Sequence, residues 1–247
     1  MEDQSMDYGQ LEFTLPHDVV KLPSNGVFYK NKKKTIKVGY LTANDENIIM
    51  AGGDDMTINL LRNKIYEPEL RIDELLEGDV EAILIFLRNT AFGPEINLTL
   101  TDPQTNKQFQ TTVMLDSLPI VEGIKPNDDG TFTTILPKTQ TTVKLKPLSY
   151  GELRDLAKLA SQYPQGRVVP RITWKLTKQI VEVNGITDKS EISKFVEQLP
   201  ISDSKYIRKF MDDNEPRLDL KKIVITPSGE KLAVNVGFGA DFFRPFF

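Results

Sequence analysis

"KLPSNGVFYKNKKKTIKVGYLTANDENII" (residues 21–49) has a counterpart in the same chain, "ILPKTQTTVKLKPLSYGELRDLAKLA" (residues 135–160). Both begin with Leu-Pro, at Leu22-Pro23 and Leu136-Pro137, and both continue into an alternating stretch of strand type. Both then reach Leu-[Ser/Thr]-x-x-[Asp/Glu], at Leu41, Thr42 and Asp45 and at Leu148, Ser149 and Glu152. That last pattern starts a helix. The hydroxyl accepts from the third backbone N–H of the first turn, and the acidic side chain reaches back to the N–H of the cap. Asp45 is shorter than Glu152, so the first cap is expected to be the weaker. Each stretch therefore reads as a strand followed by a helix start.

The correspondence continues downstream. Leu60, Leu61 and Ile65 give one helix face, stopped by Pro68. Ile172, Leu176 and Ile180 recur at helical spacing, with Asn184-Gly185 as the expected stop and Trp174 off that row. Leu75, Asp79, Ile83, Phe86 and Leu87 have the same spacing as Leu199, Asp203, Ile207, Phe210 and Met211. The two aspartates are expected as N-caps, near the positive end of a helix. Each series then ends in a hairpin-like stretch, turning at Asp102-Pro103 and at residues 226–229. "LDSLP" (115–119) corresponds in place to "ADFFRP" (240–245).

So many matches in one order point to a duplication. The expected fold class is α+β: two tandem, similar modules, each a small antiparallel sheet from its first strands and closing hairpin, with a few packed helices. The expected division is an N-terminal arm at 1–20, a first module at 21–122, a linker at 123–131 rich in Gly, Pro, Asn and Asp, and a second module at 132–247. Whether the modules share one sheet is open at this level.

The chemical inventory narrows the function. The chain has 247 residues, 39% hydrophobic and 27% charged, and a net charge of −4 that gives no general attraction to nucleic acid or anionic membrane. It contains no cysteine, which excludes disulfides and thiolate metal sites. One histidine, His17, is too little for Ser-His or His-rich metal chemistry, and no phosphate-cradling glycine motif occurs. The acidic pairs near 52–55, 127–130 and 212–214 lack the ligand order of a calcium loop. The lysine run at 30–34 reads as a turn between strands at 26–29 and 35–40. No catalytic, cofactor or metal residue is assigned. Neither a secretory signal nor an apolar span is legible, so a cytoplasmic origin is expected.

"LPSNGVFY", the basic strand and "LTANDE" resemble the N-terminal region of hub and hub-assembly proteins in baseplates of T4-type contractile-tailed bacteriophages. "IDELLEGDVEAILIFLRNTAFG" is similar to a characteristic stretch of that family, through Leu76, Asp79, Leu84, Arg88 and Gly93. The resemblance implies a virion or assembly protein of the tail baseplate, made in the host cytoplasm. It would bind other tail proteins, with no small-molecule substrate, nucleic acid or membrane insertion. The interface candidates are Tyr8, Leu11 and Phe13 in the arm and Phe242, Phe243, Phe246 and Phe247 at the other end. At least one of Phe242 and Phe243 is expected to lock the last strand onto the core. The rival readings are a transient assembly chaperone, a tail-associated hydrolase using two carboxylates, and a nucleic-acid module using the lysine run.

Overall fold

Short alternating runs broken by Gly, Pro and Asn turns build only small sheets. The computed structural model describes residues 16–243 apart from Asp54, Pro68 and Gly239. It opens with β1 (His17–Lys21), β2 (Thr35–Gly39), α1 (Ala43–Ala51) and α2 (Met56–Lys64). A short 3-10 turn (Ile72–Glu74) leads to α3 (Glu77–Phe92), β3 (Glu95–Thr101), β4 (Gln108–Met114) and β5 (Ile120–Val121). The chain continues with β6 (Phe132–Ile135), β7 (Thr142–Leu145), α4 (Tyr150–Ser161), α5 (Arg171–Gln179) and β8 (Ile180–Val183). It ends with α6 (Lys189–Glu197), α7 (Ile201–Asn214), β9 (Arg217–Leu218), β10 (Lys221–Ile225), β11 (Lys231–Asn235) and a 3-10 turn (Ala240–Phe243). The fold is α+β.

The Leu-Pro turns close alike. The Leu22 N–H donates to the Lys34 carbonyl at 2.9 Å, and the Leu136 N–H to the Thr141 carbonyl at 2.9 Å. These bonds extend the antiparallel pairs β1–β2 and β6–β7. In the first pair the loop is longer, and it departs from the sequence expectation. Residues 26–29 form turns, and the partner of β2 is β1. Positive φ at Asn25 (49°), Gly26 (72°) and Lys32 (50°) keeps this loop from running as a strand.

The second departure lies at Ile180. Helix α5 ends at Gln179, and Ile180 begins β8, which pairs with β7 so that Leu145 lies opposite Ile180. Asn184 and Gly185, with φ of 46° and 86°, are the turn after that strand and not a helix stop. The alternating β-branched run fits the pleat better than a last helical turn does. A single bridge, Val38 opposite Ile65, stands at the matching place after α2.

Among the described residues the strands make five small sheets. The closing hairpins, β3–β4 and β10–β11, are separate sheets and do not join the opening strands as expected. Two apolar clusters fill the interior. The larger runs from Val20 and Leu22 through α3 to Leu115, and also takes in Leu220, Val224, Val236, Phe242 and Phe243. The smaller holds Phe132, Val143, Leu176, Ile180, Ile207 and Met211. Phe28, in the long first loop, touches both, with its ring 5.9 Å from that of Phe132. The β5–β9 pair, Ile120 opposite Leu218, also joins distant parts of the chain.

Candidate functional site

The most conspicuous polar groups of the interior are two aspartates, and they are not N-caps. Asp79 and Asp203 occupy the third residue of α3 and of α7. Each points out of its helix at a Leu-Pro turn. Asp79 Oδ1 accepts from the Ser24 N–H at 2.9 Å, and Asp203 Oδ1 accepts from the Lys138 N–H at 2.8 Å. Ser24 and Lys138 each lie two residues after the turn leucine. The second oxygens differ. Asp79 Oδ2 accepts from the Tyr29 hydroxyl, which itself accepts from the Leu76 N–H at 2.9 Å. Asp203 Oδ2 accepts from the Thr139 N–H at 3.0 Å and its hydroxyl at 2.8 Å. Burial pushes the Asp79 carboxyl above the usual range, although the bonds from Ser24 and Tyr29 oppose it. For Asp203 burial also acts upward, but the donors from Lys138 and Thr139 win and hold it below that range.

The residues of the α3 signature have structural tasks. Leu76 and Leu84 are buried. Arg88 is fully enclosed, donates to the carbonyls of Gly93 and Glu95, and lies 5.8 Å from the ring centroid of Phe242. It thereby ties the end of α3 to the start of β3. Gly93 ends the helix at φ 80°, a conformation that suits a residue without Cβ.

Asp102 fastens the two closing hairpins together. It accepts from the Ser228 N–H at 3.1 Å and the Ser228 hydroxyl at 3.0 Å. Beside it the Gln104 amide donates to Glu230 at 2.5 Å.

A carboxylate-lined cavity of about 50 Å³ sits where α3, the β7–α4 turn and β9 meet. Its walls include Glu77, Glu81, Pro147, Glu215 and Arg217. Burial, reinforced by the charge of Glu77 and opposed by Arg217, raises Glu81 to about 7. Burial also raises Glu215 to about 7, against the pull of Lys175 and Arg217. Gln179 donates to Glu215 at 3.3 Å, and its own Oε1 has no partner among the described residues. Such pairs serve glycosidases, but those sites must admit a sugar ring between the carboxyl groups. A space of this size holds a few water molecules and no sugar ring.

The lysine run lies on the β1–β2 loop. Lys33 pairs with Glu67, and the Lys32 ammonium donates to the Val27 carbonyl at 2.9 Å, so two of its four lysines are engaged within the chain. Among the described residues no three His, Asp or Glu side chains gather as metal ligands do. His17 packs edge-on to Tyr66 at 6.0 Å.

Of the interface candidates, Phe242 and Phe243 are buried, with 5% and 2% exposure. They lie on the closing 3-10 turn, not on a strand, so adjacent rings can both turn inward. Phe242 packs on Phe238 at 4.7 Å and on Phe243 at 4.9 Å. They furnish core and offer little surface to a partner. Tyr8, Leu11, Phe13, Phe246 and Phe247 lie outside the described residues. No helix among the described residues is long and apolar enough to cross a membrane.

The ties described above join distant segments of one α+β chain. The chain matches the family described as T4 bacteriophage base plate protein over residues 17–243, from β1 to the closing 3-10 turn, and belongs to that family. No curated protein and no solved structure matches it. The family points to a structural role in the phage baseplate, among other phage proteins of the virion tail.

Proposed function

We propose that this chain acts in the hub region of the baseplate, as a structural or assembly protein working through protein–protein contacts and not as an enzyme. The observation that carries the reading is the reach of the family match, which spans nearly the whole described fold. The paired ties of Asp79 and Asp203 support a further part of it: the chain is a duplicated unit, with repeats at 21–122 and 132–247 around a linker at 123–131, the second closing on the core of the first through Leu220, Val224 and Phe243. The arm, expected at 1–20, stops short of β1, whose residues 17–20 pair with β2. Two related modules in one chain contact neighbouring subunits together, and each contact raises the effective concentration of the other. Tyr8, Leu11 and Phe13 with Phe246 and Phe247 are proposed as contact residues. Assembly takes place in the host cytoplasm.

The test is quantitative mass spectrometry of purified tails and of tail intermediates. The chain is expected in finished particles at a fixed ratio to hub proteins. Presence in intermediates alone makes it a transient assembly chaperone, and absence from both sinks the reading.

A further inference from the structure

The closing hairpin β3–β4 is a two-stranded sheet of its own, so β4 pairs on one side only. The register fixes which backbone groups are left open on the other side. The Leu115 N–H donates to the Pro94 carbonyl and the Asp102 N–H to the Lys107 carbonyl, both at 2.9 Å. The ladder between them keeps this pairing throughout, with Ile96 opposite Val113 and Leu100 opposite Phe109. Bonded pairs alternate along an antiparallel ladder, so the N–H and C=O groups of Gln108, Gln110, Thr112 and Met114 point away from β3. All four residues are exposed, and no other backbone meets those groups among the described residues.

This edge is also unguarded. β4, QFQTTVM, runs for seven residues without a charge or a proline. Charged side chains along an open edge keep foreign strands away, and the other hairpins carry them. β1 has Asp18 and Lys21, β10 has Lys221 and Lys222, and β11 has Lys231. The four-residue β6 is uncharged, but Asn127 lies along it. The Asn127 N–H donates to the Thr131 carbonyl at 2.7 Å and its side chain to the Thr133 hydroxyl at 3.0 Å. On the far edge of β3, the Glu95 carbonyl already accepts from Arg88.

We infer that β4 is a pairing edge whose occupant is β4 of a second copy of this chain. The two strands run antiparallel about a twofold axis at Thr111, and β3–β4–β4–β3 form one sheet across the dimer. The strand itself selects this occupant. Centred on Thr111, Gln108 lies opposite Met114 and Gln110 opposite Thr112, so every outward N–H and C=O of the four residues meets one of the copy. Moving the centre by one residue leaves Met114 or Gln108 facing no strand residue. The same register sets Thr111 opposite Thr111 and Phe109 opposite Val113. A hydroxyl pair and an aromatic–β-branched pair are both favourable across antiparallel strands, and no like charges meet. Such an interface is isologous, the commonest kind between identical chains.

The test is the mass of the purified full chain in sedimentation or light scattering. It should rise from one chain to two between about 1 µM and about 200 µM, by mass action. Gln110→Pro removes an N–H that the hairpin does not use, a place where a strand accepts proline. It should keep its circular dichroism and weaken the dimer at least about tenfold. Gln110→Lys with Thr112→Lys is the second variant. It sets lysine opposite lysine, should weaken the dimer as much, and should recover between about 50 mM and about 500 mM salt. The chain has no cysteine, so Thr111→Cys reads the register directly. Facing residues of this kind have Cα atoms about 4.5 Å apart, within disulfide reach. Oxidation should join two copies at least about tenfold faster than for Ser161→Cys on α4.

A single-chain mass at every concentration overturns the proposal and leaves the edge to a strand of a different protein. A dimer untouched by both edge variants overturns it, and so does a Thr111→Cys chain that joins no faster than the control. The proposed baseplate role fails separately, by absence from particles and intermediates, whatever the mass in solution.

Discussion

Asp79 and Asp203 stand in the same relation to the chain: each, from the third residue of a helix, accepts the backbone N–H two residues beyond the leucine of a Leu-Pro turn. Both are fully buried, so their donors have no water to fall back on. Asp79→Ala leaves the Ser24 N–H and the Tyr29 hydroxyl without their acceptor. It should cost about 3 kcal/mol or more, given the strength of hydrogen bonds to a charged acceptor. Asp203→Ala strands three donors from Lys138 and Thr139 and should cost as much. Urea denaturation of the two variants checks this; losses below roughly 1 kcal/mol would show the ties to be incidental.

Gly78 lies in the first turn of α3, where glycine ordinarily weakens a helix by about 0.5–1 kcal/mol against alanine. Here a Cβ would run into the Pro216 carbonyl and Arg217. Gly78→Ala should therefore destabilise, by about 1–3 kcal/mol, as overpacking does, despite its better helix propensity. Gly237→Ala is the control, since a Cβ there meets nothing within 4 Å. Thermal melts of the pair decide the point, and an unchanged melting temperature for Gly78→Ala contradicts the close approach.

Much of this was legible where the signal is local. The second capping box appears as written, the Ser149 hydroxyl accepting from the Glu152 N–H at 3.2 Å, whereas in the first the Thr42 N–H and its hydroxyl both donate to Asp45 at 2.8 Å. The shared spacing of Asp79 and Asp203 was legible too, but their task was not, because their partners lie far away in sequence. Ile180 misled for a definite reason: three isoleucine and leucine residues at helical spacing ran across a helix–strand boundary. Helix α6 has a start signal of the local kind, the Asp188 side chain accepting from the Ser190 and Glu191 N–H groups, but no counterpart in the first repeat to draw attention to it. The Glu81–Glu215 cavity carries no sequence signal, since only tertiary packing brings α3 against the segment after α7.

The cavity makes stability depend on pH in a definite direction. Glu81 and Glu215 are raised to about 7 in the folded chain, chiefly by burial. Unfolded glutamate titrates near about 4.3. Between these values the folded state holds more protons than the unfolded state, so stability falls as pH rises from about 4.5 to about 7 and then levels off. The contribution is opposite in sign to that of Asp203, whose lowered pKa favours the folded state at higher pH. Glu215→Gln keeps an acceptor for the Gln179 amide while removing the charge. At pH 8 it should raise the melting temperature by about 2–4 °C, the effect of roughly 1 kcal/mol in a chain this long after allowance for screening. At pH 4 it should change nothing. Melts of both proteins across this range test it; an equal shift at the two extremes removes the titration as its cause.

The phenylalanines at 242–247 should divide into two groups by experiment. Phe243 is 2% exposed, between the closing 3-10 turn and the larger core, and Phe242 lies over the Arg88 guanidinium. Phe243→Ala should cost about 3–5 kcal/mol, as other buried Phe truncations do. Any loss of assembly would then track the loss of folded protein. Phe246→Ser with Phe247→Ser, at the proposed contact residues, is expected to leave the melting temperature within about 1–2 °C and to block incorporation into tails. The two readouts are a melt on purified protein and mass spectrometry of particles complemented with each variant. If the double serine variant enters particles at the normal ratio, the proposed contact at 246–247 is wrong, while the burial of Phe242 and Phe243 stands on the melt alone.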